Sequence, residues 1–107
     1  MTFTLFHNNN CSKSRACKEI LKQNNVVFKI REYLKKPLCR NEIQDIINNI
    51  DGDKNELLRK PMPNLNEKGL TDYIFENPEL LQRPIFFDGS KYIICRPPSK
   101  VFDFIRK

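Results

Sequence analysis

The residues from His7 to Arg15, His-Asn-Asn-Asn-Cys-Ser-Lys-Ser-Arg, carry the most reactive chemistry in the sequence. An apolar run with Phe3, Leu5 and Phe6 precedes them and a helical pattern follows, so Cys11 stands where a strand ends and a helix begins. Backbone N–H groups at a helix start are unpaired and carry partial positive charge, which favours a thiolate over a thiol. The thiolate is the nucleophilic form. His7, Lys13 and Arg15 add cations or donors nearby, and the segment reads as an activated cysteine beside an anion-binding loop. A free cysteine is more often a small buried hydrophobe, but the flanks Asn10 and Ser12 are polar.

The remaining thiols read differently. Cys17 falls about 120° round the helix from Cys11 and roughly 9 Å along it, on the stripe with Leu21, and belongs to the core. Cys95 ends an apolar strand and packs. Cys39 stands three residues before Glu42, where a capping box would have Ser or Thr. Four cysteines could form a secreted disulfide framework, but no signal peptide precedes them. No CxxC occurs and His7 shares a loop with Cys11, so no metal site is expected. Reduced thiols with one reactive member remain.

These residues need a scaffold. Residues 2–7 read as a strand, Ser12 to Gln23 as a helix ended by Asn24-Asn25, and Val26 to Tyr33 as a second strand. Strand, helix and strand in that span imply a parallel pair with a right-handed crossover. Lys35-Lys36-Pro37 is a loop, and Glu42, Ile43, Ile46, Ile47 and Ile50 mark an amphipathic helix. Asn55 to Lys60 reads as a further helical turn or two, ended by Pro61-Met62-Pro63-Asn64. Short helical pieces follow over Glu67–Asp72 and Pro78–Leu81, the second with Asn77 as its cap and Pro78 at its first position. Asp88-Gly89-Ser90 joins two strands in a hairpin, and Pro98 to Ile105 is a last helix with Val101, Phe102 and Ile105 on one face. A four-stranded mixed sheet flanked by helices, with a helical insertion between strands 2 and 3, follows. Cys11 then lies just past the C-terminal end of strand 1, where open α/β sheets place their sites.

At 107 residues and 39% hydrophobic content, with eight Phe, the chain supports one core, and residues 1–107 are expected to form a single domain. Nothing approaches the roughly 20 apolar residues of a membrane span, and a cytoplasmic protein without a membrane partner is the expectation. The net charge of +6, from 19 Lys+Arg against 13 Asp+Glu, suits an anionic partner, although most lysines read as a solvated surface. No basic run or interleaved aromatics suggest nucleic acid.

His7-Asn8-x-x-Cys11-x-x-Ser14-Arg15 resembles the active-site loop of the glutaredoxin-coupled arsenate reductases, a thioredoxin-like family. Leu57-Leu58-Arg59-Lys60, Gln82-Arg83-Pro84-Ile85 and Cys95-Arg96-Pro97 resemble the family's later landmarks, in its order. The resemblance implies that Cys11 attacks arsenate, that Arg59, Arg83 and Arg96 hold the oxyanion, and that His7 lowers the pKa of the cysteine. It also implies a cis-proline at Pro84 facing the thiol, with glutathione as co-substrate, glutaredoxin as partner and no bound cofactor. Beside the substrate, Ser14 supports the loop or caps the backbone, Asn8 shapes the turn, and Arg15 binds the anion or faces solvent. The forked guanidinium matches a tetrahedral oxyanion bidentately, as Lys cannot. The sequence departs from the family in a short stretch between Lys60 and Asn77, which bears on how Arg59 is presented, and in Cys39 at a hydroxyl cap.

Other readings keep the fold. One is a glutathione-dependent thiol-disulfide oxidoreductase. Another resembles the Spx-type regulators that bind RNA polymerase, whose CxxC loop corresponds here to Cys11-Ser12-Lys13-Ser14, without a second cysteine.

Overall fold

The computed structural model describes residues 2–60, 62 and 65–105. Strand β1 (Phe3–Phe6) leads into helix α1 (Ser12–Gln23), and β2 (Phe28–Arg31) returns parallel to β1, with Phe3 opposite Phe28 and Phe6 opposite Arg31. Helices α2 (Arg40–Asn49) and α3 (Glu67–Glu76) form the insertion, with a 3₁₀ turn over Lys54–Leu57 between them and another over Pro78–Leu80 after them. The hairpin of β3 (Ile85–Phe87) and β4 (Tyr92–Ile94) follows, and a 3₁₀ turn over Pro98–Val101 runs into α4 (Phe102–Ile105). The strand order is β2-β1-β3-β4, parallel only between β1 and β2. This is the expected mixed sheet with its helical insertion.

Alternation along the strands divides the core into two layers. Leu5 and Phe86 join Cys17, Leu21, Cys95 and Val101 on one face of the sheet. Phe6 and Ile85 join Ile43, Ile46, Leu70 and Ile74 of α2 and α3 on the other. Each fully buried aliphatic or Phe side chain contributes about 1.5–3 kcal/mol, so the layers hold the helices to the sheet.

Several boundaries differ from the sequence expectation, each for a local reason. Strand β2 is shorter than 26–33 because Val26 N–H donates to Leu21 O, and because Glu32 O accepts from Lys35 and Lys36 N–H in a turn. The helix expected over Asn55–Lys60 is one 3₁₀ turn, capped by Asp53, after which Leu58 turns extended and bridges to Leu81. Helix α3 runs to Glu76 rather than Asp72. Asn77 stands at the N-cap of the segment after it, with Pro78 at the first position as expected, but its side chain makes no cap bond there; its Nδ2 donates back to Tyr73 O at 3.1 Å and closes α3. The breaker residues Pro61, Pro63 and Asn64 lie outside the described residues.

Cys39 occupies the N-cap of α2, with Glu42 as its capping-box partner. Arg31 clamps that carboxylate (Nη1 to Oε2 2.7 Å, Nη2 to Oε1 3.0 Å), and Cys39 N–H donates to Oε1 at 3.0 Å. The Arg31 bonds hold Glu42 below the ordinary carboxylate range, although partial burial opposes them. A depressed pKa adds stability above the unfolded value, about 4.3, and that stability is lost as pH falls through the folded value. Glu42→Gln should therefore cost about 0.5–1 kcal/mol near pH 7, discounted for the solvent-screened pair, and the cost should fade below about pH 4. Urea denaturation across pH checks this; a difference constant down to pH 3 contradicts it.

Candidate active site

The β1–α1 loop is built from hydrogen bonds among its own polar residues. His7 N–H donates to Arg31 O at 2.9 Å and extends the β1–β2 ladder by one residue. Asn8 Oδ1 accepts from Asn10 N–H at 3.0 Å, and Asn8 O accepts from Cys11 N–H at 3.0 Å, so Asn8 shapes the turn as expected. Ser14 is fully buried in the first turn of α1. Its Oγ accepts from Asn8 N–H at 3.1 Å and lies 2.6 Å from His7 Nδ1. A hydroxyl that already accepts from a backbone N–H has its proton free to donate. The consistent assignment has Ser14 donating to Nδ1 of a neutral His7, whose Nε2–H faces Asn9 Oδ1 at 3.4 Å. Burial is the largest influence on His7 and holds its pKa below the ordinary value, so the imidazole is neutral near pH 7.

His7 meets Ser14, and Ser14 fixes the loop, so His7 acts on the thiol through Ser14 rather than by direct contact. Arg15, expected to bind the anion or face solvent, donates its Nη1 to Asn9 O at 2.8 Å and staples the loop.

Cys11 is the N-cap of α1 and partly exposed. Burial is the largest influence on its thiol and opposes ionisation, but the Ser14 N–H, the Arg83 side chain and the Lys13 N–H together outweigh it. The net shift is downward. The sulfur makes no formed cap hydrogen bond, so the helix start acts as a set of nearby dipoles ready for a charge.

The arginines come from distant parts of the chain. The Leu58–Leu81 bridge, flanked by Gln82 N–H to Leu57 O (2.6 Å) and Arg59 N–H to Leu80 O (2.8 Å), lays Arg59 beside the segment leading to Arg83. The β3–β4 pairing of Ile85 with Ile94 continues as Cys95 N–H to Pro84 O (3.0 Å), which sets Arg96 next to Arg83. Arg96 Nη1 donates to Arg83 O at 3.0 Å, and Arg83 Nη1 donates to Glu79 O at 3.2 Å. Pro84 is buried and the Arg83–Pro84 peptide is cis, as the resemblance implied; Arg96–Pro97 is also cis. Arg83 acts directly on the Cys11 sulfur, while Arg59, Arg96 and Lys100 line a pocket of about 370 Å³ with Glu56, Leu58 and Gln82. A larger hollow of about 640 Å³ by the β3–β4 turn is lined by Asp51, Asp88 and Asp103 with Lys91 and Lys100, and by none of the three arginines.

Cys17 and Cys95 are fully buried. The Cys17 side chain and burial push the Cys95 thiol strongly upward, so both are packing residues, as expected. Sequence reasoning missed Tyr33. Its ring lies in the core, yet Arg83, Cys11 and Arg59 all act on its hydroxyl. Its place two residues past β2, at the same sheet end as the cysteine loop, was the available signal.

A four-stranded mixed sheet of order β2-β1-β3-β4, entered through a strand-helix-strand crossover and flanked by helices, is the thioredoxin-like fold. Residues 6–104 match the ArsC family, and the chain belongs to that family. An arsenate reductase of Neisseria meningitidis serogroup A is 32% identical over 108 residues, covering 91% of this chain and 92% of the relative. One from Haemophilus influenzae is 32% identical over 116 residues, covering 98% and 100%. The solved structure of an arsenate reductase from Vibrio cholerae superposes with a TM-score of 0.88 at 22% identity, covering 98% of each chain, which establishes the fold.

Because Arg83 helps to lower the Cys11 pKa, Arg83→Ala should move the pH midpoint of Cys11 alkylation upward, towards about 8.5. Iodoacetamide rates measured from pH 5 to 10 check this; an unchanged or lower midpoint contradicts it.

Proposed function

We propose that the chain reduces arsenate to arsenite through the Cys11 thiolate, with glutathione and glutaredoxin as external reductants. The observation that carries this reading is the lowered thiol at the start of α1, with Arg83 beside it and Arg59 and Arg96 lining a pocket. Relatives named arsenate reductase, at 32% identity over nearly their whole length, support the choice of oxyanion.

In the first step the Cys11 sulfur bonds to arsenic and one arsenate oxygen departs as water. An anion attacks an anion here, and the guanidinium groups offset that repulsion as charge develops. A glutathione thiolate then attacks the Cys11 sulfur. The sulfur–arsenic bond breaks and its electron pair leaves with arsenic, reducing it by two electrons to arsenite. The mixed disulfide left on Cys11 is opened by a glutaredoxin thiol, which restores the Cys11 thiolate. External thiols are required because Cys17 and Cys95 are held in the core and Cys39 caps α2. A supply of free thiols places the reaction in a reducing compartment, the cytoplasm.

Arsenate-dependent oxidation of glutathione in the presence of glutaredoxin tests the proposal. Cys11→Ser should abolish turnover, and Arg83→Lys should lower kcat/KM about ten- to hundredfold, since Lys replaces a forked donor with a point charge. Turnover that survives Cys11→Ser overturns the mechanism. Disulfide exchange without arsenate turnover would identify a thiol-disulfide oxidoreductase instead.

A further inference from the structure

Tyr33 is 1% exposed, and its hydroxyl has no hydrogen-bond partner among the described residues. Arg83 Nε is also buried without a partner among the described residues, and the Arg83 side chain is the leading charged group acting on the Tyr33 hydroxyl. An isolated buried hydroxyl destabilises a fold, and a phenylalanine would pack the same core without that cost. Two buried polar groups left unmet beside a reactive thiol are therefore better explained by a ligand that reaches both.

The surroundings indicate which ligand. Tyr33 follows β2, the parallel neighbour of β1, so it rises at the same end of the sheet as the Cys11 loop. Arg83, Cys11 and Arg59 are the charged groups that act on its hydroxyl. We propose that Tyr33 is a substrate-binding residue, its hydroxyl donating a hydrogen bond to an oxygen of the oxyanion held between Cys11 and Arg83. This rests on the reading of the site as an oxyanion reductase and adds a neutral donor to its cationic ones. Burial is the largest influence on the phenol and keeps it protonated, so it remains a donor at the pH where Cys11 is ionised. The groups that lower the Cys11 thiol are Ser14, Arg83 and Lys13, which leaves the Tyr33 hydroxyl available to substrate rather than committed to sulfur. A neutral donor also adds affinity without drawing a second anion into the site. It favours an oxygen-rich tetrahedral anion over a halide or a bare thiolate.

Tyr33→Phe removes the oxygen and keeps the ring. Three readouts are compared with wild type: the arsenate concentration that half-protects Cys11 from iodoacetamide, the pH midpoint of alkylation without arsenate, and Tm. The expected result is half-protection at about ten- to hundredfold more arsenate, an unchanged midpoint, and an equal or higher Tm. Equal protection of variant and wild type overturns the assignment and leaves the reductase reading standing. An upward midpoint shows that the hydroxyl serves the thiolate, and a fall in Tm shows that it serves the fold; either overturns the assignment. Wild-type Cys11 unprotected by arsenate overturns the reductase reading and the assignment with it.

Discussion

A buried imidazole and a buried hydroxyl meet at 2.6 Å between His7 and Ser14, and the reactive loop is tied at that point. Each would cost about 1–3 kcal/mol if left unpaired, so neither can move without the other. Ser14 also takes the Asn8 N–H, Asn8 takes the Cys11 N–H, and Arg15 takes the Asn9 carbonyl. The loop therefore has one economical path, and that path delivers Cys11 to the N-cap of α1. The pair does its work as a neutral clamp. A protonated His7 would put a charge in a buried place, and the environment disfavours it.

The sheet supplies what the loop lacks. Parallel pairing of β1 with β2 requires a crossover, and α1 is that crossover, so the thiol sits at the end of the sheet from which β1 exits. β3 enters beside β1 at the same end, carrying Arg83 and Pro84 at its start. The bridge at Leu58 and the turn after β4 then bring Arg59 and Arg96 to the flanks. Cationic donors separated by long stretches of chain converge because strand pairing brings their backbones together. The excess of positive charge, +6, adds a long-range attraction for anions before any contact forms.

Some of this was legible in the sequence for physical reasons. Helix α1 was bounded correctly because Ala16, Cys17, Ile20 and Leu21 repeat at helical spacing and Asn25 accepts the left-handed backbone (φ 58°) that ends it. The hairpin was legible because Gly89 (φ 99°) follows an Asp whose carboxylate takes the Ser90 and Lys91 N–H groups. Asn77 was half legible, because an Asn before Pro suits the start of a helix as well as the end of one, and here it holds both positions. Its direction depends on the Tyr73 carbonyl behind it. For His7 the sequence left cation and donor both open, since burial cannot be read from four neighbouring residues. Tyr33 was hidden altogether. In sequence it only closes the stretch read as the second strand, and depth in the fold is what shows a hydroxyl among charged groups with no partner among the described residues.

The central claim is a site with one reactive cysteine that borrows its other thiols. Mass spectrometry of the protein after incubation with arsenate and glutathione, with glutaredoxin withheld, tests that claim most directly. The account predicts one glutathione joined by a disulfide to the peptide that carries Cys11, formed only when arsenate is present. An internal disulfide between Cys11 and Cys17, Cys39 or Cys95, or a Cys11 left unmodified, would contradict it.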